Sequence, residues 1–427
     1  MEQLRIKAQE LRKKHEYKEA EKIYCKIYNE NSFDKWLGWE YADTLKNLNK
    51  VDEAISVAKN VYVNNRSFKY IKDLLSWCVY EKYFKNLDAN DTKELSELIP
   101  IADFLLKITV QDEKLPYEKT VFKIIKLIQK SDINNKYELM IEWLDKLDYK
   151  ILSKNTYQIK MKNERTIEIA SPLEDWFYIK IKCQYNLENY TECIENCDYI
   201  LCEIEKFHNN QDKWIRRIKA NCLWELNKKH ESVMELSKLN NEFNHWIIMY
   251  ELSKMYIEME NFNDGIIIAS RLMLLKEPIE RKVGAIKLLA DLFYKLNKKK
   301  EAYVYYMACF EHIYNYDEKN LIKSRIKELN DTYNIKVINN IQCLEEIAIK
   351  EIKNDKSRKE GVVSNIIGNR KAGFIKDNIS SYYFQMKNVL GTNKNIKMND
   401  IVTFNVIDSF DRKKGKKSEE AIDLILE

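Results

Sequence analysis

The sequence predicts a mainly α-helical repeat protein that ends in a small five-stranded β-barrel. Five of the eight glycines lie beyond position 360, whereas all four prolines lie before it. The first 350 residues carry helical periodicity with few breakers, and the remainder alternates polar and apolar residues as short strands do. The charge divides at the same place. Residues 350–427 carry 16 basic and 11 acidic residues, which leaves 56 of each sign in the rest of the chain.

A 34-residue repeat organises the beginning of the chain. Small and bulky residues of the first repeat, Ala8, Leu11, Tyr17, Ala20, Tyr24 and Ile27, recur as Ala42, Leu45, Val51, Ala54, Ala58 and Val61. The spacing returns at Ala220/Leu223/Ser232, Ser253/Tyr256/Gly265 and Ala290/Phe293/Ala302. This pattern resembles the tetratricopeptide repeat (TPR), in which small residues let two antiparallel helices cross closely. The resemblance implies an α-solenoid that binds a protein or peptide partner on its concave face.

The predicted helical region covers residues 1–352 but is not uniform. The repeats are regular at 1–65 and 174–315, with inter-helix turns expected at Asn186–Tyr190, Met259–Phe262 and Leu296–Ala302. Residues 66–170 are irregular, with helices predicted at Ser67–Phe84, Asp91–Ile108 and Tyr117–Lys130; they are either degenerate repeats or a distinct helical insert. Helices at Asp317–Thr332 and Asn334–Lys353 are expected to cap the repeats. Residues 353–360 form a charged linker.

The last domain, 361–427, divides into five predicted strands. These are Gly361–Ile367, Ala372–Asp377, Ser381–Lys387, Ile401–Phe410 and Ala421–Leu426. The turn Gly368-Asn369-Arg370-Lys371 suits an exposed hairpin tip. Five short strands in so few residues are typical of an OB-type barrel, since closing the sheet removes unpaired edges.

Three segments of this domain resemble the cold-shock family in spacing and pattern. The run Gly361–Ile375 resembles its opening, and Ala372–Ile375 falls where the family carries its first RNA-binding motif, Gly-Phe-Gly-Phe-Ile. Ser381–Met386 falls on the second motif, Asp-Val-Phe-Val-His-Phe, and Asn399–Phe404 on the entry to the fourth strand. The resemblance covers about one sixth of the chain. It implies a surface that binds single-stranded RNA or DNA, with RNA favoured.

The candidate binding residues follow from that resemblance and from alternation along the strands. Phe374 and Tyr383 match stacking positions of the family, and Gln385 shares the face of Tyr383. The predicted phosphate contacts are Arg370, Lys371, Lys376, Arg412, Lys413, Lys414, Lys416 and Lys417. A second hypothesis comes from the positions at which the chain departs from the cold-shock motifs. Aromatic or histidine side chains of the family are replaced at Asn365, Ala372, Gln385 and Met386. In that case the barrel binds no nucleic acid, and the chain is a protein-interaction or regulatory subunit of a separate effector enzyme.

Other signals argue against an enzyme. The five histidines are scattered, and the sequence contains no phosphate-binding glycine loop and no nucleophile or zinc-protease motif. We therefore expect no catalytic residue, no cofactor and no metal. An odd number of cysteines, nine, without a signal peptide indicates the reducing cytoplasm. No apolar run is long enough for a membrane span, and the oligomeric state is left open.

Overall fold

A computed structural model describes residues 1–87, 95–160, 166–313, 315–333, 341–368, 371–391, 395–411 and 415–427. The chain divides into two compact units, Met1–Ile218 and Lys219–Glu427. The division falls inside helix α11 (Gln211–Glu225). It places the C-terminal strands in one unit with the helices that precede them. The domain boundaries predicted near 352 and 360 stay predictions.

The first unit is helical apart from one hairpin. Its helices are α1 (Glu2–Lys13), α2 (Tyr17–Glu30), α3 (Lys35–Asn47), α4 (Val51–Asn64), α5 (Lys69–Tyr83), α6 (Leu95–Ile108), α7 (Tyr117–Lys130), α8 (Lys136–Leu144), α9 (Pro172–Asn186) and α10 (Tyr190–Glu203). The hairpin, β1 (Tyr157–Lys160) and β2 (Thr166–Ile169), is antiparallel. It was not among the predicted elements of 66–170. Its local signal is the alternation of apolar and polar residues in both four-residue strands.

The second unit continues with seven helices that are followed by five strands. The helices are α12 (Lys229–Glu242), α13 (Trp246–Glu258), α14 (Phe262–Met273), α15 (Ile279–Lys295), α16 (Lys299–His312), α17 (Tyr316–Tyr333) and α18 (Ile341–Lys353). The strands are β3 (Lys359–Ile366), β4 (Ala372–Lys376), β5 (Ser381–Gln385), β6 (Ile401–Asp411) and β7 (Lys416–Leu426).

One turn joins the two helices of each regular pair and occurs six times in the described part of the chain. It contains a residue with φ near +60° at His15, Asn49, Glu188, Asn227, Glu260 and Asn297. The next residue donates its backbone N–H to a carbonyl five positions earlier, as in Glu16→Leu11 and Lys298→Phe293, both 2.9 Å. This is the hydrogen bond of a Schellman cap, which ends a helix with a left-handed residue. The recurrence confirms the predicted inter-helix turns and the TPR-like repeat.

The small residues of the repeat lie where paired helices cross. Ala8, Ala20, Ala42 and Ala54 are fully buried in the first unit. In the second unit the Ser232 hydroxyl donates to the carbonyl of Ala220 (2.6 Å). The Ser253 hydroxyl likewise donates to the carbonyl of Gly265 (2.8 Å). These short side chains let the helix backbones approach, which is the role that the repeat pattern predicts.

The five C-terminal strands close into a barrel in the order β3-β4-β5-β7-β6. Neighbouring strands are antiparallel except β5 and β7, which are parallel. The barrel is filled by Val363, Ile375, Tyr382, Phe384, Val389, Ile396, Val402, Phe404, Ala421 and Leu424. The predicted fold class, helical repeats followed by a five-stranded barrel, is confirmed, and this strand order is compatible with an OB-fold.

Two strands begin earlier than the sequence predicts. β3 begins at Lys359, inside the predicted linker, and β7 begins at Lys416 instead of Ala421. β6 and β7 form a long hairpin in which Asp411 is opposite Lys416. Lys416 and Lys417, two of the predicted phosphate contacts, therefore belong to strand β7. Polar alternation concealed this extension, since Lys416–Glu420 carries no apolar residue facing the core.

Candidate nucleic-acid interface

The two predicted stacking residues are neighbours on the outer face of the barrel. Phe374 on β4 lies directly opposite Tyr383 on β5, and their ring centroids are 5.8 Å apart in an edge-to-face arrangement. Phe374 is 36% exposed, and Tyr383 is half-buried. The residues that alternate with them, Ile375, Tyr382 and Phe384, are buried in the barrel. The two rings therefore belong to a surface platform and not to the core.

Cross-strand register defines what surrounds the platform. Asn365, Phe374, Tyr383 and Glu420 form one continuous row across β3, β4, β5 and β7. In the neighbouring row, Lys376 lies between Val362 and Ser381 and is exposed. A polyanion on the rings would meet a lysine on one side. At the β7 end of the first row it would meet a carboxylate.

The side chain of Gln385 is hydrogen-bonded to the Glu420 carboxylate. Its Nε2 donates to Oε1 of Glu420 (2.9 Å), to which Nδ2 of Asn388 also donates (3.2 Å). The sequence places Gln385 on the face of Tyr383, and its half-buried position next to β7 agrees with that. The acceptor could not be deduced from the sequence, because β5 and β7 become neighbours only in the closed barrel.

The predicted phosphate contacts fall into two groups. Lys371, Lys376 and Lys417 have exposed side chains, and Lys416 begins β7. Arg370, Arg412, Lys413 and Lys414 lie outside the described residues. Sequence reasoning did not select Lys359, whose Nζ donates to the hydroxyl of Tyr382 (2.6 Å), or Lys387, which is exposed next to Gln385.

Gly373 has a packing role within the platform strand. A Cβ atom at this position would lie 2.5 Å from the backbone oxygen of Asn365 and 2.6 Å from the ring of Phe384. Both distances are far below van der Waals contact. The glycine lets β3 and the Phe384 ring approach β4, which holds the residue next to it, Phe374, on the outer face.

A buried polar junction holds the barrel against helix α14. Nε of Arg271 lies 2.9 Å from Oδ2 of Asp423, and both side chains are about nine-tenths buried. Asn405 accepts from Arg271 (3.3 Å) and from Arg358 (2.7 Å) at the same Oδ1 atom. Arg358 also donates to the carbonyls of Thr403 and Asp423, at 2.7 Å each. Burial lowers the pKa of Arg358 to about 10.

Residues of the predicted linker 353–360 take part in this junction. Arg358, in the predicted charged linker, donates into the space between β6, β7 and α14. Burial acts to raise the pKa of Asp355, but hydrogen bonds from Ser357 and Asn405 hold that pKa below its ordinary value. The segment is therefore a structured connection in the second unit.

Neither a membrane-spanning helix nor a metal site is present among the described residues. None of the described helices combines the length and apolar composition that crossing a bilayer requires. Within the same described ranges, no group of three or more His, Cys, Asp or Glu side chains is arranged to hold a metal ion. Cys193 and Cys197, which share helix α10, are buried in the helical core.

Comparisons with known proteins found similarity among solved structures only. No family model matches the sequence, and no curated protein matches it. A tetratricopeptide repeat protein from Parabacteroides merdae aligns over 77% of this chain and 98% of its own, with 15% identity and a TM-score of 0.29. The human IFIT1 dimer with PPP-AAAA aligns over 82% of this chain and 78% of its own, with 12% identity and a TM-score of 0.37.

A third similar structure is the C-terminal part of a TPR repeat-containing protein from Cytophaga hutchinsonii. It aligns over 74% of this chain and 97% of its own, with 11% identity and a TM-score of 0.31. At these TM-scores the similarity carries no argument about function. The TPR-like character of this chain rests on its six equivalent turns and on its buried small residues.

Proposed function

We propose that this chain is a non-enzymatic cytoplasmic adaptor that binds single-stranded nucleic acid, RNA in the first place, through its barrel and a protein partner through its helical repeats. The observation that carries the proposal is the outward-facing pair Phe374 and Tyr383 next to Lys376 on β4 and β5. This combination of stacking surface and adjacent cation is what sequence-tolerant binders of single strands use. The odd number of cysteines, nine, supports a reducing compartment.

The mechanism follows from the two rows of the platform. Each ring stacks one base, a contact worth about 1–3 kcal/mol. Lys376 neutralises a phosphate next to the rings, and Lys371 and Lys417 extend the cationic edge along the ends of the strands. Five more basic residues are proposed to add to the same edge: Arg370, Arg412, Lys413, Lys414 and Lys416.

An exposed aromatic cluster in the first unit supports a protein partner. Trp36 and Trp39 on α3 contact Tyr70 on α5, with ring centroids 5.1 and 5.9 Å from that of Tyr70. Trp36 is 41% exposed and Tyr70 is 54% exposed. Clustered aromatic rings at a surface are characteristic of protein interfaces. We therefore propose α3 and α5 as the part of the repeats that contacts the partner.

The test is fluorescence anisotropy of labelled single-stranded RNA and DNA with the full-length protein across a salt series. Phe374→Ala/Tyr383→Ala should weaken binding with little change in the salt slope. Lys376→Gln/Lys417→Gln should reduce the slope by about 0.7 for each phosphate that is no longer neutralised. Tyr157→Ala/Tyr199→Ala, which removes two exposed rings from the first unit, is the matched control. Unchanged affinity in both platform variants would exclude this site.

A second candidate function has its own supporting observation. Glu420 ends the platform row and accepts hydrogen bonds from Gln385 and Asn388, which places a negative charge where a nucleic acid would lie. We propose as the alternative a protein-interaction subunit that regulates a separate effector enzyme. No RNA or DNA binding by the full-length protein at near-physiological salt would favour it.

A further inference from the structure

A cleft of about 840 Å³ opens between the barrel and helices α12–α14 of the second unit. Five carboxamide side chains line it: Asn240, Asn241, Asn244, Gln385 and Asn388. We call it the amide cleft. Its volume lies in the range of pockets that enclose small organic ligands, about 300–1,000 Å³. Phe243, Met386 and Ile407 add apolar surface between the amides.

The charges of the amide cleft argue against a phosphate ligand. Arg271 and Asp423 neutralise each other there. The remaining lining charges are two lysines, Lys276 and Lys387, and three carboxylates, Glu242, Asp408 and Glu420. A phosphate entering the cleft would therefore meet carboxylates as well as lysines. A neutral, flat group that both donates and accepts hydrogen bonds matches the amide lining better.

The amide cleft is continuous with the stacking platform. Gln385 lines the cleft and follows Tyr383 by two positions on β5, so both side chains lie on one face about 7 Å apart. Glu420 lines the cleft and is also the register partner of Tyr383. A single strand that stacks one base on Tyr383 therefore presents an adjacent nucleotide to the cleft.

Several acceptor atoms belong to the residues that line the amide cleft. Asn240 is 7% exposed, and its Oδ1 has no hydrogen-bond partner among the described residues. The Glu420 carboxylate gathers the amide donors of Gln385 and Asn388. The Glu420 carboxylate and the carboxamide oxygens of Gln385 and Asn388 can accept hydrogen bonds from a ligand N–H. An exocyclic amino group of a nucleobase supplies such a donor.

We infer that the amide cleft receives one unstacked nucleobase that carries an exocyclic amino group, so that the adaptor prefers adenine or cytosine to uracil at one position of a bound strand. This inference rests on the proposed nucleic-acid function and adds base selectivity to it. The platform binds any sequence because every base has an aromatic face, whereas the cleft distinguishes bases by their hydrogen-bonding edges.

The test compares oligonucleotides that differ at one position, bound to the full-length protein. Labelled oligouridine is measured beside the same oligomer with a single internal adenosine, a single cytidine or a single abasic residue. We expect the adenosine or cytidine oligomer to bind roughly fivefold or more tightly than oligouridine. The abasic oligomer should bind no better than oligouridine.

Variants separate the cleft from the platform. Asn388→Ala and Asn244→Ala, at two lining carboxamides outside the stacking platform, should abolish the preference for the amino-bearing base while binding of oligouridine persists. Asn330→Ala, an exposed carboxamide on α17, is the matched control and should keep the preference. Thermal unfolding of each variant establishes that it is folded.

The outcomes distinguish the cleft from the platform function. Equal affinity for all four oligomers, in the wild type and in the variants, overturns the cleft inference and leaves the platform function standing; it is also the result expected if the cleft holds a protein segment. A preference that survives both amide substitutions likewise overturns it. Failure of every oligomer to bind the wild type removes the nucleic-acid function and the cleft inference together.

Discussion

The carboxylate of Glu420 lies at the end of the row that contains Phe374 and Tyr383, in register with the tyrosine. Its charge repels phosphates that approach along this row, and its hydrogen bonds hold Gln385 in place. At the residue scale, the affinity of the platform for nucleic acid thus depends on attraction by Lys376 on one side and repulsion by Glu420 at one end. The lysine is exposed, so solvent and salt screen both effects.

We predict that Glu420→Gln increases affinity for single-stranded RNA by about twofold to fivefold at low salt, because it removes one negative charge near the bound phosphates. Glutamine keeps a carbonyl acceptor for Gln385. Anisotropy titrations measure the change, with Glu258→Gln on α13 as a charge-matched control. Equal gains in both variants would indicate a general charge effect instead of a local one.

Gly373 gives a second prediction for a single residue. Gly373→Ala should destabilise the barrel by about 1–3 kcal/mol, because the added methyl group overlaps the backbone oxygen of Asn365 and the Phe384 ring. Gly368→Ala is the control: a methyl group at this position would have no atom of the described residues within 4 Å. Its effect should therefore stay within about 0.5 kcal/mol. Urea unfolding of both variants provides the measurement.

At the scale of elements, the repeated turn explains why the helix pairs form where they do. Three of the six left-handed positions are asparagine, which tolerates φ near +60°. Glu188 and Glu260 occupy the same conformation without that advantage. The turn is therefore imposed at these two sites by helix packing and, next to Glu260, by the backbone hydrogen bond from Asn261 to Tyr256 (2.9 Å).

The left-handed conformation of Glu260 is unfavourable for a residue with a Cβ atom. We therefore expect Glu260→Gly to stabilise the protein. Glycine adopts the left-handed region without steric cost, and we expect a gain of about 0.5–1 kcal/mol after its greater entropy in the unfolded chain is subtracted. Glu258→Gly, at the end of helix α13, should instead lose up to about 1 kcal/mol. Opposite shifts of the unfolding midpoint would confirm the role of the turn. A loss of stability in both variants would contradict it.

On the largest scale, the barrel and the helices of the second unit share one core. Leu390 and Ile425 from the barrel region belong to the same buried cluster as Leu344 and Ile352 of α18. Arg271 and Asp423 form a buried ion pair across the same boundary. The barrel is thus part of a larger folded unit, and its packing against the helices positions the platform next to the amide cleft.

Breaking that ion pair should unfold the barrel more easily. Arg271→Ala leaves Asp423 buried without its countercharge, and we expect a loss of about 3–5 kcal/mol in the stability of the second unit. Arg281→Ala removes an ion pair of similar length, 2.7 Å to Glu277, from an exposed helix surface and should cost less than about 1 kcal/mol. Hydrogen exchange of the β7 amides reports the difference. Comparable losses in both variants would show that burial of the pair has no special effect.

The elements of this protein were largely determined by local sequence. Helix periodicity, the small-residue repeat and strand alternation predicted the repeats and the five strands, because these patterns express side-chain spacing along one element. Alternation together with the cold-shock resemblance predicted Phe374 and Tyr383 as surface residues, and both lie on the outer face of the barrel. The start of β7 was missed because Lys416–Glu420 lacks an apolar residue, and the hairpin β1–β2 was missed because each of its strands alternates over only four residues.

Only the tertiary structure decided which distant residues meet. The parallel neighbours β5 and β7 bring Glu420 to Gln385, and docking on α14 brings Arg271 to Asp423. Neither pairing leaves a local pattern, because each depends on barrel closure and on packing between elements far apart in the sequence. The amide cleft arises for the same reason, from carboxamides that belong to α12, to the segment after it and to the barrel.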